Sequence, residues 1–103
     1  MKIVYDIEAR EQVGEIFRYG KEHFGRNAAM RYKNTLRKSI SALKQNPLMG
    51  CVEQELCDGG SIEYRYLLVK PYKVIYSVKG DVIRVHLFWH TSREPRTLAD
   101  NLE

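Results

Sequence analysis

From Tyr64 to Trp89, apolar and polar residues alternate in three runs, YRYLLV, YKVIYSVK and VIRVHLFW, broken at Lys70-Pro71 and Gly80-Asp81. Runs of β-branched and aromatic residues bounded by turn signals predict three consecutive antiparallel strands. Glycine at the first central position of a two-residue loop suits a type II′ hairpin, so Lys79 is expected opposite Val82. Continued without interruption, this register puts Val78, Tyr76 and Val74 opposite Ile83, Val85 and Leu87 on one apolar face. The other face then pairs Ser77 with Arg84, Ile75 with His86 and Lys73 with Phe88. A slip of one residue would bury Lys73 and Arg84, so the pattern specifies the register well.

Upstream the period changes. Lys2–Asp6 reads as a short strand. From Glu8 onward Ala9, Val13, Ile16, Phe17, Tyr19 and Phe24 fall largely on one helical stripe, and Gly25 is the expected stop. Gly14 and Gly20 cost this helix up to about 1 kcal/mol each relative to alanine, and are expected to mark close packing against the sheet. A second helix is expected near Asn27, a good N-cap residue, with Ala29, Tyr32, Leu36, Ile40 and Leu43 on its buried stripe. Its remaining surface is basic, with Arg31, Lys33, Arg37, Lys38 and Lys44. Asn46-Pro47 ends it, because the residue before proline disfavours the helical region. The short link between the helices implies an antiparallel helical hairpin. Leu48 to Ser61 reads as an irregular connecting loop, and its carboxylates Glu53, Glu55 and Asp58 have no partner legible in the sequence. Beyond Trp89 the chain is polar. Pro95 bars continuation of the sheet, and Thr97–Leu102 suits one last helical turn.

These elements predict an α+β fold: an antiparallel sheet of about four strands, with the two-helix hairpin packed on one face, in the order β-α-α-β-β-β. The expected core contains Val13, Ile16, Phe17, Leu36, Ile40, Leu43, Val74, Tyr76, Val85 and Leu87. A chain of 103 residues fits a single domain spanning residues 1–103.

The formal charge of +4 is a mild basic bias that does not by itself identify a partner. No apolar run approaches the length of a membrane span, and the first ten residues lack the apolar stretch of a signal peptide, so a cytoplasmic location is expected. Cys51 and Cys57, with five residues between them, do not match the common zinc spacings and are read as plain thiols. No phosphate-binding glycine loop, nucleophile elbow or metal-ligand cluster is present, so no cofactor is expected.

The order of elements and several local motifs together resemble the RelE/ParE superfamily of bacterial toxins. Ala9 stands at the head of the first helix. Leu43, Asn46-Pro47 and Gly50 follow the family's leucine, proline and glycine pattern. Tyr64-Arg65-x-Leu67-x-Val69 is similar to its strand opening, and Tyr72-Lys73-Val74-Ile75-Tyr76 to the next strand, with lysine where arginine is common. His90, then Thr91-Ser92-Arg93-Glu94-Pro95, resembles the histidine-arginine-proline exit from the last strand. The resemblance implies the toxin of a type II toxin–antitoxin module, inhibiting growth until neutralised by a cognate antitoxin that lays a helix and an extended segment around it. It leaves the target open between DNA gyrase, the ribosome with its mRNA, and none for homologues that have lost toxicity.

Cleaving RNA through its own 2′-hydroxyl needs a proton acceptor, a cation for the phosphorane and an acid for the leaving oxygen. Arg65, Lys73, His90 and Arg93 are the candidates. Two of them have plainer readings: Arg65 can pair with Glu63 or Glu94 and brace the sheet, and His90 can be a structural histidine at a strand end. His86 reads as surface, His23 as a favourable charge at a helix C-terminus, and Trp89 as core or groove wall. Compared with the nuclease branch, the chain lacks a second basic residue close to Arg65, and its tail from Thr91 has no tyrosine, histidine or phenylalanine. Its two long helices are similar to the gyrase-directed branch. The preferred expectation is therefore gyrase inhibition, with a ribosome-dependent mRNA endonuclease as the alternative and an inert binding homologue as the third possibility.

Overall fold

The computed structural model describes residues 1–56 and 60–93. Strand β1 (Lys2–Tyr5) leads into helix α1 (Ile7–Phe24) and helix α2 (Arg26–Ser41), which a short 3-10 turn at Ala42–Lys44 extends. Strands β2 (Cys51–Val52), β3 (Tyr64–Val69), β4 (Tyr72–Lys79) and β5 (Val82–His90) follow. The sheet order is β1-β5-β4-β3-β2. The expected antiparallel strands are present. The fourth expected strand, β1, pairs with β5 in parallel rather than antiparallel, and the segment read as a loop adds the two-residue β2, so the sheet is mixed and five-stranded.

Gly25 is the whole link between the helices. It ends α1 and starts α2 at φ +89°, a region that favours glycine. Asn27 consequently lies inside the first turn rather than capping it. Contacts symmetric about Gly25 show the antiparallel hairpin: a Cβ at Gly20 would lie 3.3 Å from that of Ala29, and the Lys33 ammonium sits 4.9 Å from the Phe17 ring centroid. Gly20 thus marks close packing, but against α2 rather than the expected sheet, whereas Gly14 faces open space.

The hairpin register begins as predicted, with Lys79 opposite Val82 and Tyr76 opposite Val85. It then shifts: Ile75 pairs with Leu87, Val74 with Phe88 and Lys73 with Trp89. His86 is the extra residue of a β-bulge. The bulge changes which face each of Leu87, Phe88 and Trp89 occupies, while the three still alternate. The bulge sends Phe88 to the helix side with Val74, Tyr76, Leu36 and Ile40. Leu87 and Trp89 go to the opposite face with Ile75 and Leu56. Leu87 is therefore buried as expected, but not opposite Val74. Leu56 reaches this second cluster from a 3-10 turn at Gln54–Leu56, so the connecting segment covers the sheet's outer face.

Of the expected core, Leu36, Ile40, Leu43, Val74, Tyr76, Val85 and Leu87 are buried. Val13 and Ile16 are half-buried against the core, and Phe17 is half-buried between the helices. Tyr76 is fully buried, and its hydroxyl donates to the Pro47 carbonyl (2.8 Å) while accepting the Gly50 N–H (2.9 Å). A Cβ at Gly50 would lie 2.6 Å from that hydroxyl and from the Tyr66 carbonyl oxygen, so only glycine fits the turn. No helix among the described residues is long and apolar enough to cross a membrane.

Candidate functional site

Helix α1 packs with only Ala9 fully buried among its 18 residues. Tyr19 is 56% exposed and Phe24 69% exposed. The apolar stripe that the sheet does not cover forms one wall of a groove of about 620 Å³. Val13, Ile16, Phe17 and Gly20 line it from α1, Tyr32 and Leu36 from α2, and Pro71, Tyr72 and His90 from the strand ends. The Tyr32 hydroxyl donates to the Val69 carbonyl at 2.7 Å, and burial pushes its pKa up to about 12, so it remains a donor at physiological pH. A smaller cavity of about 320 Å³, also bordered by Ile16, Tyr19, Tyr72 and His90, extends to Gln12, Glu15 and Arg93.

The edge of β5 beyond its pairing with β1 is closed by a side chain. The Gln12 amide donates to the Phe88 carbonyl (3.1 Å) and accepts the Phe88 N–H (2.7 Å), standing in for a neighbouring strand. This fixes α1 against the sheet edge beside the groove.

The four candidates for RNA chemistry do not converge. Arg65 donates to the Gly50 (2.8 Å) and Leu48 (3.3 Å) carbonyls and pairs with Glu63 at 2.8 Å. It braces the turn that Tyr76 also holds, which is the plainer reading. Lys73 pairs with Glu53 at 3.1 Å and lies 4.4 Å from the Tyr66 ring centroid. Glu53 is only 3% exposed, so Lys73 supplies the positive charge that a buried carboxylate requires. Only His90 and Arg93 come together, both lining the smaller cavity. The His90 Nδ1 accepts from the Ser92 N–H (3.1 Å) and lies 2.7 Å from its hydroxyl, which places the proton of the neutral ring on Nε2. Its ring meets Tyr72 edge-on at 5.2 Å. The Arg93 guanidinium stacks 4.0 Å from the Trp89 ring centroid. Arg65 is opposite Tyr76 and His90 opposite Tyr72, four residues apart on β4, a separation of about 13 Å along the strand. Lys73, next to Tyr72, projects to the other face. Glu94, the alternative partner of Arg65, and the expected turn at Thr97–Leu102 lie outside the described residues.

His86 was expected on the surface, but the bulge turns it inward. Its Nδ1 is 3.0 Å from Asp6 and its Nε2 is 2.7 Å from the Ser77 hydroxyl, while Arg84 holds the other Asp6 oxygen at 2.8 Å. Burial lowers the His86 pKa, opposed by the Asp6 carboxylate, so the ring is neutral near pH 7. Burial alone would raise the Asp6 pKa, but hydrogen bonds from Arg84 and His86 outweigh it and hold the carboxyl below its ordinary range. A serine, a histidine and an aspartate in this order resemble a hydrolytic relay. Ser77, however, sits inside β4 with strands on both sides, where ladder bonds occupy the neighbouring backbone N–H groups that would otherwise stabilise an oxyanion. The chain of bonds clasps the end of β1 to β4 and β5. No sequence signal pointed to it, because Asp6 and His86 are 80 residues apart.

The comparisons with known proteins agree with this architecture. A solved structure described as the chromosomal ParDE TA system from P. aeruginosa is similar to the chain, with a TM-score of 0.71 at 17% identity, over 87% of this chain and 95% of that one. At that identity the likeness concerns the fold. No curated protein matches the chain. The family described as ParE toxin of the type II toxin-antitoxin system parDE matches residues 3–95. That match spans both helices and strands β3 to β5, and the chain belongs to the ParE toxin family of type II toxin–antitoxin systems.

Proposed function

We propose that the chain acts on DNA gyrase as a non-catalytic inhibitor and is neutralised by an antitoxin seated in the groove between α1 and the strand ends. The observation that carries the target assignment is the dispersal of the four candidates. Arg65 and Lys73 are committed to the turn at Gly50 and to Glu53, about a strand's half-length from His90 or on the opposite face. A phosphorane needs its cation and its acid within hydrogen-bond reach of one another's substrate atoms, and this pair of cations is held elsewhere. The antitoxin assignment is supported by the 620 Å³ groove and by the exposed Tyr19 and Phe24 at its rim, which suit an apolar helix.

Purified chain added to translating ribosomes tests the target. Intact mRNA is the expected result. Cleavage by the wild-type chain that falls about 10²–10⁴-fold in His90→Ala, the usual worth of a general acid or base, would instead establish the ribosomal alternative. The adjacency of His90 and Arg93 is the one observation favouring that alternative. Co-expression tests the antitoxin: growth arrested by the chain alone should resume when the antitoxin is supplied, and unimpaired growth with abundant chain alone would point to an inert homologue.

A further inference from the structure

The chain's positive charge is concentrated on one element. From Arg26 to Val52 there are six lysines and arginines and no aspartate or glutamate. Without those six, 11 basic residues remain against 13 acidic ones, so the rest of the molecule carries −2. Helix α1, by contrast, mixes four glutamates with three basic residues.

Helical geometry arranges the α2 cations in two rows. At about 100° per residue, Arg31 and Lys38 lie opposite the buried Ala29, Leu36 and Ile40. Arg26, Lys33 and Arg37 form a second row on the flank nearer α1, where Lys33 covers Phe17. The polar residues Asn27, Asn34 and Ser41 lie between the rows, and Lys44 follows in the 3-10 turn. Arg26, Arg31, Arg37, Lys38 and Lys44 are exposed, and among the described residues none of them makes an ion pair.

Lys33 over Phe17 and Lys38 in the last turn favour the helix, but two features of the arrangement work against it. Lys33 and Arg37 are like charges four residues apart, which destabilises a helix. The first turn of α2 carries Arg26 and no acidic residue, against the helix dipole. The rows extend about 18 Å from Arg26 to Lys38, and the helix diameter of about 10–12 Å separates phosphates on a scale close to the width of a DNA major groove.

We infer that the basic face of α2 binds the phosphate backbone of duplex DNA. The choice of DNA among polyanions rests on the gyrase reading, because gyrase acts on duplex DNA. The assay contains no gyrase, so the two claims fail separately. The full chain is titrated into a fluorescently labelled 20-base-pair duplex, and anisotropy is followed between 50 and 200 mM salt. With about four to five phosphates neutralised, log K should fall against log salt with a slope of about −4. Arg37→Gln and Lys38→Gln should each weaken binding equally on unrelated sequences and reduce the slope by about 1. Both residues are exposed, and a circular dichroism spectrum checks that the fold is kept. Absence of binding at 50 mM salt would overturn the inference, as would a slope untouched by both substitutions. Tighter binding of duplex RNA or of polyglutamate at equal salt would overturn the assignment to DNA.

Discussion

The two helices share one glycine link and one face of the sheet, yet they are built for different work. Helix α2 buries Ala29, Leu36 and Ile40 and turns charge outward. Helix α1 buries only Ala9, exposes Ile7, Tyr19 and Phe24, and contributes half-buried side chains to a groove. The first helix is held by Ala9, by Val13 and Ile16 half-buried against the core, by Gln12 at the β5 edge and by the hairpin contact of Gly20 with Ala29. The difference separates residues whose loss should unfold the protein from residues whose loss should affect only binding.

The largest contrast is between Leu36 and Tyr19. Leu36→Ala leaves a cavity in a core only 5% exposed and should cost about 2–5 kcal/mol in denaturant unfolding. Tyr19→Ala, at 56% exposure, should stay within about 0.5 kcal/mol while weakening antitoxin capture. Equal destabilisation by the two would erase the distinction between the helices. Next in size is Tyr32→Phe, which removes the 2.7 Å bond to the Val69 carbonyl and should cost about 0.5–1.5 kcal/mol. A change in thermal midpoint no larger than that of an exposed control would show that this bond does not tie α2 to the sheet. The smallest effect has the opposite sign. Gly14 faces open space, so Gly14→Ala should stabilise the chain by about 0.4–1 kcal/mol. Gly20→Ala should gain less or lose, because the new Cβ meets Ala29 at 3.3 Å. Equal gains at both sites would mean that the helices are not closely packed there.

What was legible in the sequence was local. The 3.6-residue stripe of Leu36, Ile40 and Leu43, the alternation of β3 and β4, and the turn at Gly80 each depend on neighbours a few residues away, and they appear where expected. The bulge was only half legible. Leu87-Phe88-Trp89 signals that both faces of β5 are covered, but not that His86 is left over and the phase shifts. Strand β2 and the turn bearing Leu56 were missed, because two apolar residues in a polar segment carry no period; they are set by contacts with Arg65, Tyr66 and Ile75. The site followed the same rule. Pairing of Arg65 with Glu63 joins residues only two apart, within reach of a sequence reading. The Lys73 partner Glu53 lies 20 residues away in a segment read as loop.

If this ParE-family chain inhibits gyrase by binding, gyrase should lose supercoiling activity in its presence. The most direct measurement titrates the purified chain into gyrase with relaxed plasmid and follows supercoiling by gel. Supercoiling should fall as chain is added, and His90→Ala should inhibit within about twofold of wild type, since no proton transfer by that ring is required. Full supercoiling in the presence of excess folded chain would contradict the account.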